Sequence, residues 1–396
     1  MPLAVFQLTS KQWISLVSLL GVQVCAAFYL QGMAILAPAF ALHYHLNALE
    51  VSALISIKAV GTVLGSLGIG ISLDRIGGLR LSWVGLLPAL VLFAVTAGLV
   101  TSYPELLLSM LVMGMFLPIF SVAGRHAVTR DFPTELNGML LGVLQSVIPL
   151  GGIMAGALFP LFMTQELFPV LDGLAGLVML LTLVQIVALG LLPKRLASAS
   201  RGHTSRFSVF HVLWPVVLVV FLLGAGQFSV LVFGLFYLRK LGLYAPWFES
   251  AFLAIFLLGG FCARLVAGYL VGRRISLEAL LVGITALGGL SMAIWGSMPP
   301  GPALLVMVCF AFILGAGVLG YNALLFQWAA GLVTLEQNGR AMGVVSGTAG
   351  LGVAIWLPLF GAVVDFLGYR VMWYLVALLY GIAAIFVVWR SINRMQ

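Results

Sequence analysis

The chain has 396 residues, of which 63% are hydrophobic and only 8% are charged. Soluble domains carry about 25% charged residues, and so few ionised groups cannot cover a chain of this length with polar surface. A soluble enzyme, a nucleic-acid-binding protein and a disordered chain are excluded together, since the net charge of +8 has no basic stripe through which to grip nucleic acid.

A bilayer core needs about 20 apolar residues per helix. In chain order, breaks at Pro, Gly and charge clusters predict twelve such runs, at about 13–40, 50–73, 81–101, 105–128, 138–163, 169–192, 211–238, 248–272, 277–298, 302–328, 340–364 and 370–391. The first run is too long for a cleavable leader and reads as a retained span. Lipid offers backbone groups no partners, so the runs are read as helices. A β-barrel would need alternating segments of about ten residues, and these runs are longer and apolar all round.

Charge placement sets the orientation. With both termini in the cytoplasm, 14 of the 19 Lys and Arg fall on the inner side. Only Arg239, Lys240 and Arg370 fall outside, and Lys58 and Arg264 lie within spans. Such a bias toward cytoplasmic basic loops predicts a multi-pass protein of the cytoplasmic (inner) membrane. The longest polar stretch holds Lys194, Arg195, Arg201 and Arg206. It reads as a cytoplasmic linker, 194–210, between an N-terminal half (1–193) and a C-terminal half (211–396). Cys25, Cys262 and Cys309 sit in apolar runs without CxxC spacing and read as small buried hydrophobes.

The halves repeat. Asn137-Gly138 and Gly142 match Asn338-Gly339 and Gly343 at an offset of 201 residues, as do Gly114 with Gly315 and Gly151 with Gly352. At 198, Gly70 matches Gly268 and Arg75 matches Arg273. A duplicated six-span unit is the sequence mark of a secondary transporter with its site between the repeats.

The loop after the second run reads Gly70-Ile-Ser-Leu-Asp74-Arg75-Ile-Gly77-Gly78-Leu-Arg80. It resembles the signature of the major facilitator superfamily, G-x-x-x-D-R-x-G-x-[RK]. Asp131-Phe-Pro133 with Asn137-Gly138 adds a second family feature. The resemblance implies an all-α membrane protein with twelve transmembrane helices in two pseudo-symmetric six-helix halves. It also implies that Gly70, Asp74, Arg75, Gly77 and Arg80 form a conformational latch, with Asp74 holding the start of span eleven near Gly339 and Arg340. A solvated loop charge is the plainer reading of Asp74. The second-half copy has Gly272 in place of the acid. The span-four Arg that the family associates with proton coupling is Met110 here, and the family's antiporter motif survives only as Ile148-Pro149-Leu150-Gly151-Gly152.

Ionisable groups inside a membrane are functional hypotheses by default. Arg264 lies about ten residues from the inner Arg274, ~15 Å deep. Lys58 lies about eight residues in from the outer end of its run, ~12 Å deep. Arg125 and His126 fall in the inner part of span four. The six acids Glu50, Glu105, Glu166, Asp172, Glu249 and Asp365 all fall near outer ends. Cations without a buried counter-ion predict an anionic substrate, and a planar carboxylate suits Arg264 by bidentate bonding. The Arg-x-x-x-Gly pattern of Arg264 and Gly268 is similar to span eight of monocarboxylate and oxalate/formate transporters, where it implies a carboxylate contact. The first-span acidic motif of that branch is absent. The structural alternatives are a bond from Arg264 to helix carbonyls, snorkelling for Lys58 and Arg125, and a core histidine for His126, which is otherwise the candidate for proton coupling. His43 and His45 alone make no metal site.

Spans one, four, seven and ten surround the cavity in this superfamily, which adds Gln23, Tyr29 and Gln31, then Gln227, then Tyr321 and Asn322, as lining candidates. Gln145, Ser346 and Trp356 are second choices. The expected function is transport of a small organic anion by alternating access, with a coupled proton or counter-anion, by a monomer in the lipid bilayer. No enzymatic activity, cofactor, metal or nucleic-acid partner is expected. The alternatives are an exporter of amphipathic or cationic compounds, which favours a neutral or acidic cavity, and a non-transporting receptor or assembly factor, which needs no wet cavity.

Overall fold

With no water in a bilayer core, each apolar run satisfies its own backbone by coiling into a helix. A computed structural model of the chain describes residues 9–76, 86–120, 140, 144, 147–162, 168–190, 207–224, 226–243, 245–271, 275–333 and 338–393. From the first half come α1 (Ser10–Ile35), α2 (Ala37–His43), α3 (Ala48–Ile76), α4 (Leu86–Thr96), α5 (Tyr103–Phe116), α6 (Ile148–Phe162) and α7 (Phe168–Gly190). The second half gives α8 (Phe207–Leu223), α9 (Gly226–Lys240), α10 (Pro246–Leu270), α11 (Leu277–Ser297), α12 (Leu304–Leu319), α13 (Tyr321–Leu332), α14 (Asn338–Leu367) and α15 (Tyr369–Asn393). Among the described residues, nine stretches are long and apolar enough to cross a membrane, and Leu87–Thr96, Ile148–Leu161 and Asp172–Val184 are shorter apolar helices. Together they follow the twelve predicted runs in order.

Among the described residues, three of the runs are each divided between two of these helices. The first stops at Leu36, because Pro38 has no N–H to continue the ladder and instead sits in the first turn of α2. The seventh breaks at Gly224, where α8 passes α14 so closely that a Cβ would fall against Ala349 O and Gly352 Cα. The tenth breaks at Gly320. Carbonyls around these breaks are capped by side chains. Tyr321 OH donates to Leu223 O (2.8 Å), Trp356 Nε1 to Phe221 O (3.0 Å), and Asn322 Nδ2 to Leu319 O (3.2 Å). This is how irregular backbone is tolerated at membrane depth. α8 begins at Phe207, inside the stretch given as 194–210. Residues 191–206 lie outside the described residues.

The duplication is visible in the packing. In the first half α3 lies on α5, and in the second α10 lies on α12. A Cβ on Gly61 would strike Leu111 O, and one on Gly114 the backbone of Lys58. In the second half, Gly259 meets Phe312 O and Gly315 meets the backbone of Phe256 in the same way. Small residues let helix backbones approach where lipid supplies no hydrophobic drive. The halves then meet along two seams, α3 with α14 and α6 with α10.

Candidate functional site

A cavity of about 180 Å³ lies between the two halves. On the first-half side α3 contributes Ile55, Lys58, Ala59 and Thr62, with Leu30 of α1 beside them. The spacing i, i+3, i+4, i+7 is one face of a helix. On the other side stand Gln227 and Phe228 of α9, Tyr321 and Asn322 of α13, and Ser346 of α14. Apolar side chains, among them Val220, Leu325, Phe326 and Val353, complete the wall.

Among the described residues, Lys58 is the one charged group in this lining, and it is only 2% exposed. Its position is fixed from behind, since α5 packs Gly114 onto the Lys58 backbone. Its Nζ donates to Leu30 O at 2.6 Å and lies 5.4 Å from the centre of the Phe228 ring, on the opposite half. No carboxylate pairs with it among the described residues. A carbonyl and an aromatic face both attract a cation, and neither neutralises it. The other polar groups are modest. Thr62 Oγ1 donates to Lys58 O within its own helix (3.0 Å), and Tyr321 OH and Asn322 Nδ2 are engaged at the helix breaks. Gln227 and Ser346 present polar side chains to the space.

Arg264 is held differently. It does not line the cavity, and its Nε donates to Leu319 O at 3.0 Å. It therefore sits behind the start of α13, where the tenth run breaks. The three first-span candidates also point elsewhere. Gln23 Nε2 donates to Phe120 O (3.2 Å), Tyr29 OH bonds Thr182 Oγ1 (2.8 Å), and Gln31 packs its amide against Gly152. Trp356 caps Phe221 O rather than facing the space. Lys58, Gln227, Tyr321, Asn322 and Ser346 are thus brought together, and Gln23, Tyr29, Gln31 and Arg264 are not. Thr62, Phe228 and Phe326 escaped the sequence reading. Thr62 stands one turn from Lys58, and Phe228 follows Gln227, so spacing alone offered a signal for both.

Arg125, His126 and Gln145 lie outside the described residues. So do Gly77 and Arg80 of the loop motif. Gly70, Asp74 and Arg75 fall in the last turns of α3, with their side chains outside what is described. Among the described residues no cluster of three His, Cys, Asp or Glu is arranged to hold a metal ion.

The described acids are engaged at helix ends. Glu249, 1% exposed, forms a two-pronged pair with Arg239, Nε to Oε1 at 2.6 Å and Nη2 to Oε2 at 2.9 Å. Asp365 accepts from two backbone N–H groups of α3. Among the described residues, no acid lines the cavity.

Three solved structures share the fold. A D-xylose–proton symporter superposes with a TM-score of 0.78 at 13% identity, covering 96% of this chain and 97% of its own. The nucleoside transporter NupG gives 0.72 at 15%, with 94% and 99% covered. A bacterial homologue of the human lysosomal transporter Spinster, in an inward-facing and unoccupied conformation, gives 0.73 at 14%, with 96% and 97% covered. Identities this low speak for the fold alone. No curated protein matches the chain in sequence. The sequence profile of the Major Facilitator Superfamily matches residues 18–334. With this family match, a repeated glycine packing and a central cavity between the repeats, the chain belongs to the major facilitator superfamily of transporters.

Proposed function

We propose that this transporter moves a small organic anion across the cytoplasmic membrane by alternating access, with the acidic head of the substrate at Lys58. One observation carries the reading: among the described residues, the only charge lining the cavity is a buried lysine, and no carboxylate pairs with it. A buried cation of this kind is costly unless a counter-charge or water reaches it. A carboxylate entering the cavity supplies that charge and two further hydrogen-bond acceptors for Nζ. A single cation in a largely apolar wall favours one negative charge on an apolar body over a dicarboxylate. The volume, about 180 Å³, lies below the ~300–1,000 Å³ of sites for drug-sized ligands, which supports a small metabolite. The proposal gives Lys58 the role of primary contact and Arg264 that of bracing the cavity wall. Gln227 and Ser346 orient the substrate. Basic loops on the inner side support cytoplasmic termini and two halves joined by a cytoplasmic linker. A lining without an acid leaves the proton to travel on the substrate, or a second anion to return.

The test is a thermal-shift screen of purified protein against monocarboxylates, dicarboxylates, inorganic anions and organic cations. Small apolar monocarboxylates are expected to raise the unfolding temperature, and Lys58→Met to abolish that shift. Stabilisation by cations alone would overturn the reading in favour of an exporter of cationic compounds.

A further inference from the structure

The α3–α14 seam is closed at one end by a cap that reaches from one half of the protein to the other. A helix begins with backbone N–H groups that have no carbonyl one turn earlier. At the start of α3, two donors are satisfied locally: Glu50 N donates to Asn47 Oδ1 (2.8 Å), and Asn47 N to Glu50 Oε2 (2.9 Å). The next two are not satisfied by their own half. Ala48 N donates to Asp365 Oδ1 at 3.1 Å, and Leu49 N to Asp365 Oδ2 at 2.9 Å. Asp365 stands in the last turn of α14 and is 316 positions away from Leu49 in the chain. Both carboxylate oxygens therefore face the positive end of a helix on the opposite half.

The glycines of α14 show where the seam is tight. Gly343, Gly350 and Gly361 are spaced by 7 and 11 residues and so fall on one helical stripe. At Gly361, one turn before Asp365, a Cβ would strike Ser52 Oγ and Ala48 O. At Gly350 it would press on Val63. At Gly343, toward the other end of the same stripe, nothing among the described residues lies within 4 Å. The second seam behaves alike. Gly156 of α6 meets Leu253 and Ala254 early in α10, while Gly268, near the end of α10, meets nothing among the described residues.

We propose that Asp365 is a reversible latch: its carboxylate, bound to the Ala48 and Leu49 N–H groups, holds the cavity shut at this end, and opening there requires the carboxylate to let go. The bonds between both partners are exposed, so water replaces them on release. The latch biases an equilibrium between two arrangements rather than holding the fold together. It needs no assumption about the substrate, so it stands or falls separately from the anion reading.

Single-cysteine reporters test it, in a full-length chain with Cys25, Cys262 and Cys309 replaced by Ser. Ser52→Cys probes the tight end, since Ser52 is fully buried beside Gly361. Thr62→Cys probes the cavity. A membrane-impermeant maleimide is added from the Asp365 face for the first, and from the opposite face of inverted vesicles for the second. With Asp365→Asn, which keeps the volume but loses the charge, labelling at position 52 is expected to rise about threefold. With Asp365→Ala it should rise about tenfold. Labelling at position 62 from the opposite face should fall in the same order. Unchanged labelling at position 52, or a rise at both positions, would overturn the latch, the latter because it reports general loosening. Gly361→Ala, which forces a Cβ against Ala48 and Ser52 while keeping Asp365, should shift both reporters the same way.

Discussion

Lys58 on α3 and Arg264 on α10 occupy comparable depths in comparable helices of the two halves, and the fold treats them in opposite ways. Under the repeat offset of 198, Lys58 corresponds to Phe256 and Arg264 to Ser66. Each cation is therefore an asymmetric insertion into a symmetric frame. The frame itself is shared, since Gly114 packs on the Lys58 backbone as Gly315 packs on the Phe256 backbone. Lys58 stands on the face of α3 that looks into the cavity, and its charge meets only a carbonyl and a ring. Arg264 stands one layer back and spends its Nε on Leu319 O, where the tenth span breaks. The lesson is that a charge inside a membrane has two uses, as a ligand waiting for a counter-ion or as a clasp for irregular backbone. Depth does not distinguish them, but the partner atoms do.

The comparison can be broken at four strengths. The strongest blow falls on the shared frame. Gly114→Val places two methyl groups where the Lys58 backbone already lies, and overpacking of this kind should remove more than about 3 kcal/mol of stability. The expected result is loss of the monodisperse peak on size-exclusion chromatography, with Gly315→Val behaving alike. Next, Lys58→Met should weaken anion binding by about 10–100-fold, the loss of one charge-assisted hydrogen bond and its charge. The unfolding temperature should hold or rise, because a buried unpaired charge has gone. Calorimetric titration with a monocarboxylate and a melting curve measure both. Weaker again, Arg264→Gln should lower stability by about 1–2 kcal/mol through the loosened Leu319 carbonyl, while anion affinity changes less than about threefold. If binding vanishes with Arg264→Gln and survives Lys58→Met, the two roles are reversed. Least of all, Gly268→Ala, one turn from Arg264 and in open space, should alter stability by less than about 0.5 kcal/mol in the same melting assay.

Much of this was legible beforehand. The twelve runs, the duplication and the intramembrane positions of Lys58 and Arg264 follow from hydropathy, spacing and counting. Gln227, Tyr321 and Asn322, which fall on spans that the family resemblance places around the cavity, border it, as does Ser346 of span eleven. From chemistry alone Arg264 is the natural carboxylate partner, since a guanidinium matches a carboxylate better than an ammonium does. Nothing in the sequence shows that a helix break at Gly320 leaves carbonyls nearby, one of which Arg264 holds. Gln23, Tyr29 and Gln31 were misplaced for a related reason. A helix that is apolar all round carries no stripe to show which face is turned inward. Tyr29 instead turned toward Thr182, and Gln31 toward Gly152.

By itself the sequence determined a membrane-spanning chain of apolar runs, in two repeated units with glycines at matching positions. Those conclusions rest on composition and on fixed helical geometry, which any sufficiently apolar stretch must obey. Only the tertiary structure decided which cation meets the cavity, which carbonyls the helix breaks release, and that Asp365 closes on the first turn of α3. These depend on the rotation of each helix about its axis and on contacts between residues up to 317 positions apart. Both are set by packing against neighbours, and local sequence carries no record of either.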